Sequence, residues 1–187
     1  MIKKKLVALC VLTVLLIGLI TTVVVLHTTR ANEAEQLRVF NETYLLIDGK
    51  EYRRDSSRLD LSGRKIVELE KLQELTKLAN LDLRNTGITT EQYDQLHAAL
   101  PHCEILWSVP FQDTFYENTT QELVLDSLSH SDLDVLAYFP MLSSINADQC
   151  RDYDALSELM ELYPDIAVTY TVSFGSLTVA HTETNLT

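Results

Sequence analysis

The chain is poor in the residues that usually announce chemistry. Its 187 residues include three cysteines, five glycines and five histidines. Three cysteines are too few to staple a fold of this length. The glycines are scattered, and no P-loop, GxGxxG or GxSxG motif occurs. His97, His102, His130 and His181 show neither an HExxH pair nor metal-ligand spacing, so neither a metal nor a cofactor is expected. Asp126, Asp132 and Asp134, or Asp152 and Asp154, lack the glycine-punctuated order of an EF-hand loop, and helix capping accounts for Asp132 and Asp152. Nothing points to a nucleophile with a histidine partner, and the expectation is a protein that is not an enzyme. Positive charge is scarce too: 15 Lys+Arg stand against 27 Asp+Glu, a formal net charge of −12. Binding to nucleic acid needs clustered positive charge, which excludes that partner class.

What is present begins with a membrane segment. Residues 6–26, LVALCVLTVLLIGLITTVVVL, carry no charge, and at 1.5 Å rise per residue they reach about 30 Å, the thickness of a bilayer core. Lys3, Lys4 and Lys5 make residues 1–5 a cytoplasmic tail under the positive-inside rule and put the C-terminal bulk outside. Residues 27–43 read as a polar linker that extends the anchoring helix, and residues 44–187 as the extracytoplasmic domain. The rival is a cleaved signal peptide and a secreted protein. Against it, Thr29-Arg30-Ala31 is a poor cleavage motif, and the run exceeds the roughly 7–15 residues of a signal h-region. Leu9 is too large for the residue before a lipidated cysteine, so Cys10 reads as a plain intramembrane thiol.

Beyond the anchor, charge divides unevenly. Residues 31–85 hold ten bases against eleven acids, whereas residues 86–187 hold sixteen acids and one base, Arg151. A solvated surface explains this, as does repulsion from anionic polymers or a face for a basic partner.

The extracytoplasmic part also repeats itself. Tyr93-Asp-Gln-Leu96 recurs as Tyr153-Asp-Ala-Leu156, and Pro101 to Phe111 aligns with Pro164 to Phe174. Leu59-Asp-Leu61 matches Leu123-Val-Leu125, and Leu186 matches again, so units of about 63 residues are expected over 59–122 and 123–185. Within the first unit Leu69, Leu72, Leu75, Leu78, Leu81, Leu83 and Thr86 read LxxLxxLxxLxxLxLxxT. Leu133, Leu136, Phe139, Leu142, Ile145, Ala147 and Cys150 follow the same spacing. Leu-x-Leu puts both leucines on one face of a short strand, and the three-residue spacing returns the chain as a helix or 3-10 segment over it.

Over residues 56–174 this pattern resembles the leucine-rich repeat family, bacterial-type and membrane-anchored, with Cys150 on the family's Asn/Cys position. Thr86 departs from that consensus, as do the strands at 104–111 and 167–174. The resemblance implies an α/β fold, a leucine-rich-repeat-like solenoid of short parallel strands and helices behind a single N-terminal transmembrane helix. It implies a protein- or polysaccharide-binding strand face. The residues projecting from the Leu-x-Leu strands are Arg58, Asp60, Ser62, Asn80, Asp82 and Arg84, then Glu122, Val124, Asp126, Ser144, Asn146 and Asp148. They are expected to align in one row. Arg58, Asp60, Asp82, Arg84, Glu122, Asp126, Asn146 and Asp148 form its ligand-binding set.

Local signals fill in the unit. Thr89-x-x-Gln92 is a capping box with Tyr93, Leu96 and Leu100 inward, and Asp152 caps a helix with Tyr153, Leu156 and Tyr163 inward. Pro101 and Pro164 stop these helices. Asp48-Gly49 predicts a type I′ hairpin from Tyr44 to Tyr52, capping the membrane-side end of the solenoid. Trp107 and Tyr170 occupy matching inward positions, as interlayer packing or as an aromatic platform. Cys103 and Cys150 lie at opposite ends of their strands, which favours free thiols over a disulfide. Asn41, Asn118 and Asn185 open sequons, relevant only if the host glycosylates secreted proteins.

The expected function is a membrane-anchored, non-catalytic module that binds a protein or polysaccharide outside the cell. The short lysine-rich N-terminus has a bacterial look. The alternatives are a structural spacer self-associating through its C-terminal repeat edge, and a fragment of a longer repeat surface protein.

Overall fold

The computed structural model describes the backbone of residues 2–174 and 177–180 and the side chains of 15–172 and 179–180. The expectations placed on Asn185, on Leu186 as a third strand, and on the rest of the C-terminal edge lie outside the described residues. The chain divides into two compact units, Met1–Asp55 and Ser56–Thr187.

The first unit is a helix and a hairpin. Helix α1 runs unbroken over Ile2–Thr43, 42 residues or about 63 Å at 1.5 Å per residue, so the polar linker is indeed helical. From Leu15 to Leu26 its large apolar side chains stand more than half exposed, a surface that water alone would not sustain. The helix is long and apolar enough to cross a membrane by length and composition. Thr21 and Thr22 do not oppose insertion, because their hydroxyls donate to the Gly18 carbonyl at 2.9 and 2.8 Å. Strands β1 (Tyr44–Ile47) and β2 (Lys50–Arg53) pair antiparallel. Asp48 and Gly49 have φ of 47° and 74°, the two positive values that a type I′ turn demands. This hairpin is a sheet of its own.

The second unit is built on parallel strands joined by 3-10 and α-helical returns. Strands β3 (Arg58–Asp60) and β4 (Asn80–Leu83) pair Leu59 with Leu81, and β4 pairs Leu81 with Ile105 of β5 (Glu104–Phe111). The return from β3 to β4 contains a 3-10 helix over Leu69–Glu74. With three residues per turn, side chains at i and i+3 eclipse, so a leucine at every third position makes one buried line. Leu69, Leu72, Leu75 and Leu78 are 7%, 0%, 0% and 4% exposed. Leu133, Leu136, Phe139 and Leu142 are buried in the same way around α3 (His130–Leu133) and the 3-10 turn Asp134–Tyr138. Helix α2 (Thr90–Ala99) opens on the expected capping box between Thr89 and Gln92. Helix α4 (Tyr153–Leu162) opens on Asp152, which accepts from the Ala155 N–H at 3.0 Å.

The solenoid expectation is corrected by the sheet topology. Instead of one continuous parallel stack, the chain forms small separate sheets of mixed direction. After pairing with β4 over Glu104–Trp107, β5 continues past Ser108 and turns back at Gln112, φ 52°, into β6 (Thr114–Glu117). The antiparallel pairing of Ser108 with Glu117 through Phe111 with Thr114 ends the four-stranded sheet β3-β4-β5-β6. Strands β7 (Glu122–Val124), β8 (Ser144–Asn146) and β9 (Ala167–Thr169) form a second, parallel sheet of three. The strand expected across 167–174 breaks at Tyr170, and β10 (Thr171–Phe174) pairs antiparallel with β11 (Leu177–Ala180).

Aromatic rings join the two parts of this unit. Tyr93 stacks on fully buried Trp107 at 4.3 Å, and Tyr138 stands perpendicular to both at 5.6 and 5.5 Å. Phe139 meets Phe111 and Tyr116 edge-on at 6.2 and 6.3 Å. Trp107 therefore serves in packing, whereas Tyr170 is half-buried beside Tyr153 at 6.4 Å.

Candidate ligand-binding face

The side chains that β3, β4 and β5 turn away from the core make one polar surface, ordered in rows by the parallel register. Asn80 is the register partner of both Arg58 and Glu104, and the three form the first row. Arg58 Nε donates to Asn80 Oδ1 at 3.2 Å, and Asn80 Nδ2 donates to Glu104 Oε2 at 2.9 Å. Asp60, Asp82 and Leu106 form the second row. A cavity of about 480 Å³ opens over both rows, lined by Arg58, Leu59, Asp60, Asn80, Leu81, Asp82 and Leu106. Leu59 and Leu81 alternate with the outward residues, and Leu81 is only 1% exposed, so these strands form the cavity floor.

Two carboxylates side by side on neighbouring strands repel each other unless compensated. Arg84 compensates Asp82, with Nη2 at 2.6 Å from Oδ2 and Nε at 3.0 Å from Oδ1. That hydrogen-bonded pairing holds the Asp82 carboxyl below the usual range and raises the Arg84 guanidinium. Arg84 also reaches Glu117 at 3.4 Å. Asp60 is stabilised by Ser62, whose hydroxyl and N–H donate to Oδ1 at 2.7 and 2.9 Å, and these bonds lower its pKa.

Of the eight residues expected to bind ligand, Arg58, Asp60 and Asp82 therefore line one cavity, and Arg84 touches it through Asp82. The other four lie elsewhere. Glu122 and Asn146 sit on β7 and β8 of the second sheet, and Asp126 and Asp148 follow the ends of those strands. The Asp148 N–H donates to Asn146 Oδ1 at 3.1 Å. The single row from Arg58 to Asp148 is thus corrected to two, because the β5–β6 hairpin ends the first sheet before β7 begins.

Glu104 and Glu117 are members of the polar network that pattern reading missed. Both belong to the strands that depart from the leucine consensus, although Glu104 shares the outward alternation of Leu106. The sequence marks Asn118 only as the start of a sequon. It is 7% exposed and clamps β5: Oδ1 accepts from the Trp107 N–H at 3.1 Å, and Nδ2 donates to the Ile105 carbonyl at 3.0 Å. Cys103 and Cys150 are buried free thiols, and burial pushes both pKa values up. Among the described residues no three His, Cys, Asp or Glu side chains gather as metal ligands. No family model matches the chain, and no match to a curated protein was found.

Proposed function

We propose that this chain is a non-catalytic binding module held by α1 at the outer face of a membrane, with Lys3–Lys5 in the cytoplasm and the second unit outside. The observation that carries the binding half of this reading is the cavity on the strand face, where Arg58, Asp60, Asn80 and Asp82 converge. A surface site with positive, negative and amide groups in fixed register suits recognition more than chemistry. Its carboxylates are held ionised, without the raised pKa that a general acid requires.

The leucine-rich-repeat resemblance stays in this reading through its spacing rather than through a continuous stack. Arg58 is paired with Asn80 and Glu122 with Ser144, each 22 residues on. The order strand, 3-10 return, strand, helix, strand from β3 to β5 is met again from β7 to β9, with the short α3 added before the 3-10 turn. Both features support a duplicated unit of about 63 residues.

The experiment has two arms. Intact cells making the full chain are treated with protease, and their membranes are washed with alkaline carbonate. Retention in the pellet with loss of the second unit from intact cells is the expected result; release by carbonate overturns the anchor. In the second arm the purified full chain is screened against immobilised peptides and glycans. A ligand whose capture falls at least tenfold in the double variant Arg58→Glu/Asp60→Lys, with an unchanged circular dichroism spectrum, supports the cavity. Capture indifferent to these changes removes it.

A further inference from the structure

We propose, resting on the binding reading above, that the cavity over β3, β4 and β5 takes a lysine or arginine side chain carried on an extended segment of a partner protein. The first row is already satisfied within the fold, since Asn80 receives from Arg58 and donates to Glu104. The second row is different. Asp60 and Asp82 are direct partners across parallel strands, an arrangement of like charges that gains from a cation placed between them. Arg84 engages Asp82 from one side, Oδ1 of Asp60 is occupied by Ser62, and the charges of Arg64 and Arg84 act on the Asp60 carboxylate without a hydrogen bond to it. Oδ2 of Asp60 accepts no hydrogen bond among the described residues. A guanidinium or ammonium group entering the cavity finds that oxygen on an exposed residue.

The remaining lining fits the rest of such a side chain. Leu106, half-buried, closes the second row and offers an apolar surface for a methylene stem, as long basic side chains use elsewhere. Arg58 uses Nε within the fold, and its two terminal nitrogens donate to no group among the described residues. They are placed to donate to carbonyl oxygens of the incoming backbone. Among the described residues no aromatic ring lines the cavity, so they offer no flat stacking surface of the kind that favours a sugar. Over longer range, sixteen acids against one base in residues 86–187 attract a basic segment and repel an anionic polymer.

The test uses the full chain in lipid nanodiscs and fluorescence anisotropy. The probes are a blocked heptapeptide alternating lysine and alanine, its glutamate counterpart, and a neutral chito-oligosaccharide. Saturable binding of the lysine peptide is expected, weakening with added salt and falling at least tenfold in Asp60→Asn. That variant keeps an oxygen for Ser62, and Asp148→Asn, in the turn after β8, is expected to leave binding unchanged. The proposal is overturned if Asp60→Asn binds the lysine peptide as wild type does, or if the glutamate peptide binds equally well. It is also overturned if the oligosaccharide alone binds and is lost in Arg58→Gln, an outcome that leaves the binding module standing. Binding of every probe indifferent to both Arg58→Gln and Asp60→Asn overturns the inference and the cavity together.

Discussion

Asn118 holds Trp107 by its backbone at both ends: the Asn118 side chain accepts the Trp107 N–H at 3.1 Å, and the Asn118 N–H donates to the Trp107 carbonyl at 3.0 Å. The buried amide is engaged at both ends, with Nδ2 on Ile105. Replacing Asn118 with Ala leaves a buried N–H and a buried carbonyl without partners, at about 1–3 kcal/mol each. Urea unfolding is expected to show a loss in that range. For the same reason the folded chain carries no glycan on Asn118, whatever the host does with exposed Asn41. Mass spectrometry of protein from a glycosylating host checks this.

The Asp82–Arg84 pair makes stability depend on acid. The native Asp82 carboxyl titrates below its unfolded value, which for a free aspartate is about 3.9. Its contribution is therefore complete above that unfolded value and is lost as pH falls through the lower native one. The urea midpoint of the wild type is expected to drop as pH is lowered from 5 toward 2. Asp82→Asn is expected to start lower and fall less steeply over the same interval.

Tyr138 behaves in the opposite sense. Desolvation first, and then its hydrogen bond to Asp94 at 2.9 Å, push the phenol up to about 12. A native pKa above the unfolded value of about 10 means stability held below pH 10 and lost as pH rises through 12. In absorbance titration at 295 nm, Tyr138→Phe is expected to remove a component near pH 12 and leave the earlier transitions in place.

The leucines of the 3-10 return bear most directly on stability. Leu72 is fully buried, and Leu72→Ala is expected to cost about 2–5 kcal/mol through lost burial and the cavity left behind. Val67, five positions earlier, is 74% exposed, and Val67→Ser is expected to stay within about 0.5 kcal/mol. Paired denaturation curves separate the two.

Much of this architecture was legible locally. The uncharged run after Lys5, the Asp48-Gly49 turn, the Thr89–Gln92 capping box and the leucine at every third position each act through a few neighbouring residues. For such features a helix, turn or buried line follows from backbone geometry. The outward positions of Arg58, Asp60, Asp82 and Arg84 followed from strand alternation in the same way. What could not be read was which strand lies beside which. Glu104 entered the site because β5 lies beside β4, and Glu117 because β5 exchanges β4 for β6 as its neighbour at Ser108.

By itself, then, the sequence determined the membrane-length helix, the short strands with their buried and outward faces, and the helix caps. Only the tertiary structure decided that the parallel pairing is interrupted at the β5–β6 hairpin, that the eight expected face residues divide between two sheets and the turns that follow their strands, and that Asn118 is a clamp inside the core. The physical reason is range. Alternation and capping are settled within a few residues along the chain, whereas a sheet boundary depends on backbone groups far apart in sequence competing for the same partners.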